Sequence, residues 1–151
     1  VAFLELGEED WHRVVAVDLH SAFYTAKAFL PGMLAQGWGR IINLTGMNAI
    51  QGHAGRAHVS AAKHGLWGLT KALAKEFGPK GITVNAISPG PFDTERRDPT
   101  VAQHFKSQVS RIPVGRLGNP REIATLCAYL ASEDAAFISG QMIAVNGAAQ
   151  T

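Results

Sequence analysis

Cysteine, long apolar runs and an excess of either charge are all scarce in this chain of 151 residues. No uncharged stretch approaches the ~18 apolar residues that a spanning helix needs, so no membrane segment is expected. The single cysteine, Cys127, has no partner for an internal disulfide, and nothing at the start resembles a signal peptide. A soluble, cytoplasmic protein is the expectation. Lys and Arg number 14 against 12 Asp and Glu, and they are scattered, so no basic stripe argues for nucleic acid. No metal site is expected. The chain opens Val1-Ala2-Phe3 without Met, and the expectation is a processed chain or part of a longer product.

What is present is apolar content. The chain is 46% hydrophobic and 17% charged, too apolar for disorder, and long enough for one core but not two. From Glu8 to about Gln36 the residues Trp11, Val15, Leu19, Ala22, Phe23, Ala26, Leu30 and Met33 fall at helical spacing on one stripe. Pro31 is expected to kink or split its last turns. Residues 40–45, Arg-Ile-Ile-Asn-Leu-Thr, read as a short buried strand. Val59, Ala62, Leu66, Leu69, Leu73 and Phe77 form a second helical stripe, ended by Gly78-Pro79-Lys80-Gly81.

Residues 82–87 read as a second strand, followed by Ser88-Pro89-Gly90-Pro91. Asp93 to Ser110 is polar and weakly helical, a flap rather than core. Asn119-Pro120-Arg121-Glu122 is a strong helix start: Asn caps, Pro fits the first turn, and Glu122 bonds back. That helix runs to about Ser132, and Gln141 to Val145 is a third strand. Alternating strands and crossover helices imply a parallel sheet with helices on its faces. Ligands of such sheets sit beyond the carboxyl ends of the strands. Here those ends are Thr45-Gly46, Ser88-Pro89-Gly90 and Asn146-Gly147.

Several segments, in order, resemble one known family. They are Gly39-Arg40-Ile41-Ile42-Asn43, Ala61-Ala62-Lys63, Gly81 to Asn85, Pro89-Gly90 with Thr94, Gly115-Arg116-Leu117-Gly118, Ile138 to Gln141, and Val145-Asn146-Gly147. Together they resemble the short-chain dehydrogenase/reductase family, most closely its 3-oxoacyl-carrier-protein-reductase-like branch, from about Trp11 onward. The resemblance implies an α/β fold, a Rossmann-like doubly wound parallel sheet. In that family the first half of the domain carries the Gly-rich turn that holds the dinucleotide pyrophosphate. No Gly-x-x-x-Gly-x-Gly turn occurs here. Residues 1–151 are therefore expected to form one α/β domain, the C-terminal portion of such a domain without its dinucleotide-binding half.

The family moves a hydride between NAD or NADP and a carbonyl or alcohol on a small-molecule substrate. A Tyr handles the proton, a Lys four residues on lowers its pKa, a Ser holds the substrate oxygen and an Asn orders a water. A spacing of four puts Tyr and Lys on one helix face. Lys63 matches the lysine, but Val59 stands at the Tyr position, Gly46 at the Ser position and Asp18 at the Asn position. Val59 cannot transfer a proton. Thr45 could supply the missing hydroxyl. His58 is suited to acid–base work, although it points about 140° away from Lys63 at about 100° per residue; His53 and His64 are further candidates.

Asp18 interrupts the apolar stripe, so it is expected to be partly buried and to need a partner. Pairing with Lys63, directly or through water, is the expectation. By resemblance, Lys63 also bonds the nicotinamide ribose, and Pro89, Gly90, Thr94 and the backbone of Phe92 meet the nicotinamide carboxamide. The flap should set substrate choice.

Three functions remain open: an NAD(P)-dependent oxidoreductase with a rearranged proton donor, a hydrolase or lyase on the same scaffold, and a catalytically inactive protein of binding or assembly. A homodimer or homotetramer follows from the resemblance, through the two long helices. Phe23, Phe29, Trp67 and Leu73 offer more apolar surface than one sheet face absorbs.

Overall fold

The first apolar stripe folds into one long helical rod with a single irregularity. The computed structural model describes residues 1–94, 100, 103, 107 and 109–150. In it, α1 (Glu8–Val15) runs through a π-helical turn (Ala16–His20) into α2 (Ser21–Gln36). Glu8, Glu9 and Asp10 sit in the first turn, where the positive end of the helix dipole favours them. Of the two outcomes expected at Pro31, the split does not occur: α2 runs on through it to Gln36. The carbonyl that Pro31 leaves without a donor belongs to exposed Lys27, where water can take the bond. Gly37, at φ 65°, ends the rod.

Three parallel strands follow, interleaved with helices: β1 (Gly39–Leu44), β2 (Ile82–Pro89) and β3 (Met142–Val145). Their order is β1-β2-β3, with Gly39 opposite Ile82 and Ala86 opposite Met142. A short α3 (Asn48–Gln51) and the long α4 (Ala57–Phe77) connect β1 to β2, and α5 (Pro120–Leu130) precedes β3. The fold is α/β with a parallel sheet, as expected. Most of the flap lies outside the described residues.

Strand alternation divides the core in two. Ile82 and Val84 pack with Ala26, Leu30 and Ala74 from α2 and α4, joined by Met33 and Leu73. Ile87 points the other way and meets Leu130 of α5 and Ala135. Each such fully buried aliphatic side chain contributes about 1.5–3 kcal/mol. Leu73 thus belongs to the core rather than to a free surface, whereas Phe23 and Phe29 are exposed.

The buried amide side chain of β2 is tied off, whereas the buried Ser88 hydroxyl of the same strand has no partner among the described residues. Asn85 donates to the Ile138 carbonyl at 2.7 Å and accepts from the Gln141 amide at 3.1 Å, which pins the entry to β3. The cap of α5 forms as expected: Asn119 accepts from the Arg121 amide at 2.9 Å, and Glu122 accepts from the Asn119 amide at 2.7 Å.

Candidate functional site

At the carboxyl ends of the strands the backbone is drawn tight. The Thr45 amide donates to the Ile87 carbonyl at 2.9 Å, and the Gly90 amide donates to the Val145 carbonyl at 2.9 Å. Gly90 can only be glycine: a Cβ there would stand 2.6 Å from the Asn146 Cβ and 2.7 Å from its Cα. The turns after β1, β2 and β3 are thereby held side by side around one opening.

Lys63 reaches this opening from the second turn of α4. Its Nζ donates to the Leu44 carbonyl at 3.1 Å and lies 3.3 Å from Asp18 Oδ1. The expected pair is therefore a direct contact, with the Lys and Asp side chains only 18% and 25% exposed. Two local features bring the partners together. Asp18 sits in the middle of the π-helical turn, and such turns re-aim side chains within an otherwise regular helix. Gly65, two residues beyond Lys63, lets α4 approach this turn; a Cβ on it would come 2.9 Å from Leu19 Cδ2.

The other sequence candidates separate in space. Thr45 is buried at 6% exposure, and its hydroxyl donates to the Ile87 carbonyl at 3.1 Å. Its one proton ties β1 to β2. His58 lies seven residues before Gly65, on the same face of α4 and turned toward α1. The Asp10 carboxyl is held below its usual range, first by its hydrogen bond and charge contact with Arg13 and in small part by His58. His58 Nδ1 is buried and makes no hydrogen bond. His64 is exposed and bonds the Ser60 carbonyl through Nδ1 at 2.9 Å. Val59 is half-buried one turn before Lys63.

A cavity of about 260 Å³ opens between the turn after β1 and the turn after β2. Gly46, Asn48, Gln51, His53 and Arg56 line one side, and Pro89, Gly90, Pro91 and Gln150 the other. His53 holds its ring through Nδ1 on the Ala54 carbonyl at 2.7 Å. A carbonyl only accepts, so Nδ1 carries a hydrogen and Nε2 is left to act. His53 is thus the histidine that the fold brings to the strand ends. Arg56 and Gln150 were missed by the sequence reading; they stand on loops far apart in the chain, with no periodic pattern to mark them.

Phe92 and Thr94 follow the same turn. Phe92 is buried against Gly118, where a Cβ would come 2.5 Å from its ring, and Thr94 is exposed. A wider depression of about 610 Å³ lies beyond them, lined by Asp93, Arg116, Asn119 and Glu122. Arg116 and Glu122 there are already matched to each other, Arg116 donating to both Glu122 oxygens at 2.9 and 2.7 Å. Among the described residues no His, Cys, Asp or Glu cluster could hold a metal ion, and no helix is long and apolar enough to cross a membrane.

The family model described as enoyl-(acyl carrier protein) reductase matches residues 1–148. The chain belongs to that family, within the short-chain dehydrogenases/reductases. It is 40% identical over 144 residues to 3-oxoacyl-[acyl-carrier-protein] reductase FabG of Vibrio cholerae, covering 95% of this chain and 59% of that protein. It is 41% identical over 147 residues to acetoacetyl-CoA reductase of Cupriavidus necator, covering 97% and 60%. Among solved structures, it matches a proposed 2-deoxy-D-gluconate 3-dehydrogenase from Agrobacterium tumefaciens with bound NADP. The TM-score is 0.90 at 37% identity, covering 97% of this chain and 61% of that one. The chain spans about three-fifths of the length of these relatives.

The residues present fit the nicotinamide end of a dinucleotide. The Lys63 ammonium carries three protons; one goes to Leu44 and the Asp18 contact occupies another direction, which leaves a donor for a ribose hydroxyl.

Proposed function

We propose that this chain supplies the substrate side and the nicotinamide end of an NAD(P)-dependent oxidoreductase acting on a carbonyl or alcohol carbon of a small molecule. The observation that carries this reading is Lys63, fixed by Asp18 and the Leu44 carbonyl at the carboxyl end of β1. The relatives named as reductases and the neighbour with NADP bound support it. NAD or NADP, when bound, supplies or takes the hydride. Lys63 holds the ribose, Asp18 keeps the ammonium in place, and Pro89, Gly90, Phe92 and Thr94 form the turn beside the nicotinamide.

Proton transfer then falls to His53 in place of the tyrosine. In the reductive direction, its protonated Nε2 gives a proton to the substrate oxygen as the carbon accepts hydride; in the oxidative direction it takes that proton back. Thr45 keeps a structural part, as the tie between β1 and β2. We also propose that the free edge of β1 receives the remaining strands of a Rossmann sheet. The exposed Phe23, Tyr24 and Phe29 of α2 would then meet a second copy in a homodimer or homotetramer.

The test is the full-length protein with NADPH and a carbonyl substrate, followed by nicotinamide absorbance, with NADPH affinity measured separately. His53→Ala should lower the turnover number at least about 10²-fold and leave NADPH affinity within about twofold. An unchanged turnover number would remove His53 from the chemistry. Failure to bind NADPH would overturn the oxidoreductase reading and favour a non-redox or inactive protein, as Val59 and Gly46 at the Tyr and Ser positions allow.

A further inference from the structure

We infer that the strand-end cavity takes a small hydroxy compound bearing an anionic group, a carboxylate or a phosphate, seated against Arg56. This rests on reading the cavity as the substrate site. Its lining among the described residues carries no acidic side chain. The polar groups there are the guanidinium of Arg56, the imidazole of His53 and the amides of Asn48, Gln51 and Gln150.

Among the described residues three other arginines are already matched, while Arg111 and Arg121, which also make no ion pair, do not line this cavity. Arg13 meets Asp10, Arg40 meets Glu133 and carbonyl oxygens, and Arg116 meets Glu122. Arg56 makes no ion pair with any described carboxylate, although a guanidinium presents a planar fork of donors suited to a carboxylate or phosphate. It is exposed at the cavity wall, so the ligand is not blocked from it. On the far wall, Gln150 Oε1 is buried and has no hydrogen-bond partner. A buried acceptor without a donor is costly, and a turn of the Gln150 side chain would present it to a ligand hydroxyl in the cavity. An anion at one end and a hydroxyl at the other describe one molecule spanning the opening.

The test is equilibrium binding to the full-length protein by calorimetry, with no turnover read. The probes are 3-hydroxybutyrate against its methyl ester, and glycerol 3-phosphate against glycerol. At least one anion should bind about tenfold more tightly than its neutral counterpart, the scale of one charge-assisted hydrogen bond partly open to water. Which anion does so tells carboxylate from phosphate. Arg56→Gln should collapse the preference to within about twofold and Arg56→Lys should keep most of it, since the charge persists while the fork is lost.

Equal binding of charged and neutral probes, no binding of either anion, or an unchanged preference in Arg56→Gln overturns the inference. So does loss of anion binding when NADP⁺ saturates the protein, which would assign Arg56 to the nucleotide phosphates. Because catalysis is not read, a failed oxidoreductase assay leaves this result standing, and equal binding here leaves the oxidoreductase reading standing.

Discussion

Replacing Asp18 by Asn removes one charge and almost no volume, which makes the Asp18–Lys63 contact the most directly testable feature of the fold. At the observed 3.3 Å the bare attraction is about 5 kcal/mol for an effective dielectric near ~20. Much of that is offset by desolvation of the two ions, whose side chains are 18% and 25% exposed. Lys63 also keeps its bond to the Leu44 carbonyl in the variant. The net coupling expected is about 1–2 kcal/mol, above the ~0.2–1 kcal/mol of exposed pairs and below the several kcal/mol of fully buried ones. The assay is a double-mutant cycle of Asp18→Asn and Lys63→Gln by urea unfolding. Because the pair is largely shielded, the coupling should lose less than half its size in high salt. A coupling below about 0.3 kcal/mol, the scatter of independent sites, would refute the claim that Asp18 fixes Lys63.

Two further predictions concern the frame around the site. The Glu122 carboxyl is pushed down from 4.5 to about 2, first by its hydrogen bonds from Arg116 and then by the Asn119 amide. Its folded value lies below the unfolded one, so the stability it contributes is present above about 4.5 and lost as pH falls through about 2. Carboxyl NMR should show that low midpoint, and the Glu122→Gln variant should lack this part of the acid dependence; a midpoint near 4.5 would break the account of the cap. Gly90→Ala should cost about 1–3 kcal/mol in urea unfolding, because its Cβ would meet Asn146 at 2.6 Å. A cost under about 0.5 kcal/mol, the usual surface value, would show that the turns after β2 and β3 are not locked together.

Much of this frame was legible in the residues. Gly37 and Gly81 mark ends because only glycine takes their positive φ without strain, and Asn119-Pro120 marks a start because Asn caps and Pro fits the first turn. The Asp18–Lys63 contact was legible for a different reason. A carboxylate inside an apolar stripe must find a partner, and Lys63 was the cation that the resemblance brought to the same region. The π-helical turn was not legible. It requires α4 to press against residues 16–20 through Gly65, a contact between segments far apart in sequence. Arg56 and Gln150 were hidden for the same reason, since cavity walls built from loops follow no helical or strand period.

Val59 bears on how a proton could still move in this scaffold. A phenol four residues before Lys63 shares the lysine's helix face, so its position is set by helix geometry alone. Without it, Lys63 keeps its place because Asp18 and the Leu44 carbonyl hold it from outside α4. The acid–base group is then free to come from another element that lines the same opening. His53 meets that requirement on the turn after β1, its ring oriented by Nδ1 on Ala54, whereas His58 faces α1 and Thr45 gives its proton to Ile87. Oriented by one backbone bond, His53 is less rigidly placed than a helix-borne phenol. Its chemistry should therefore depend more on how tightly substrate fills the cavity, and truncated substrates should lose turnover number as well as affinity.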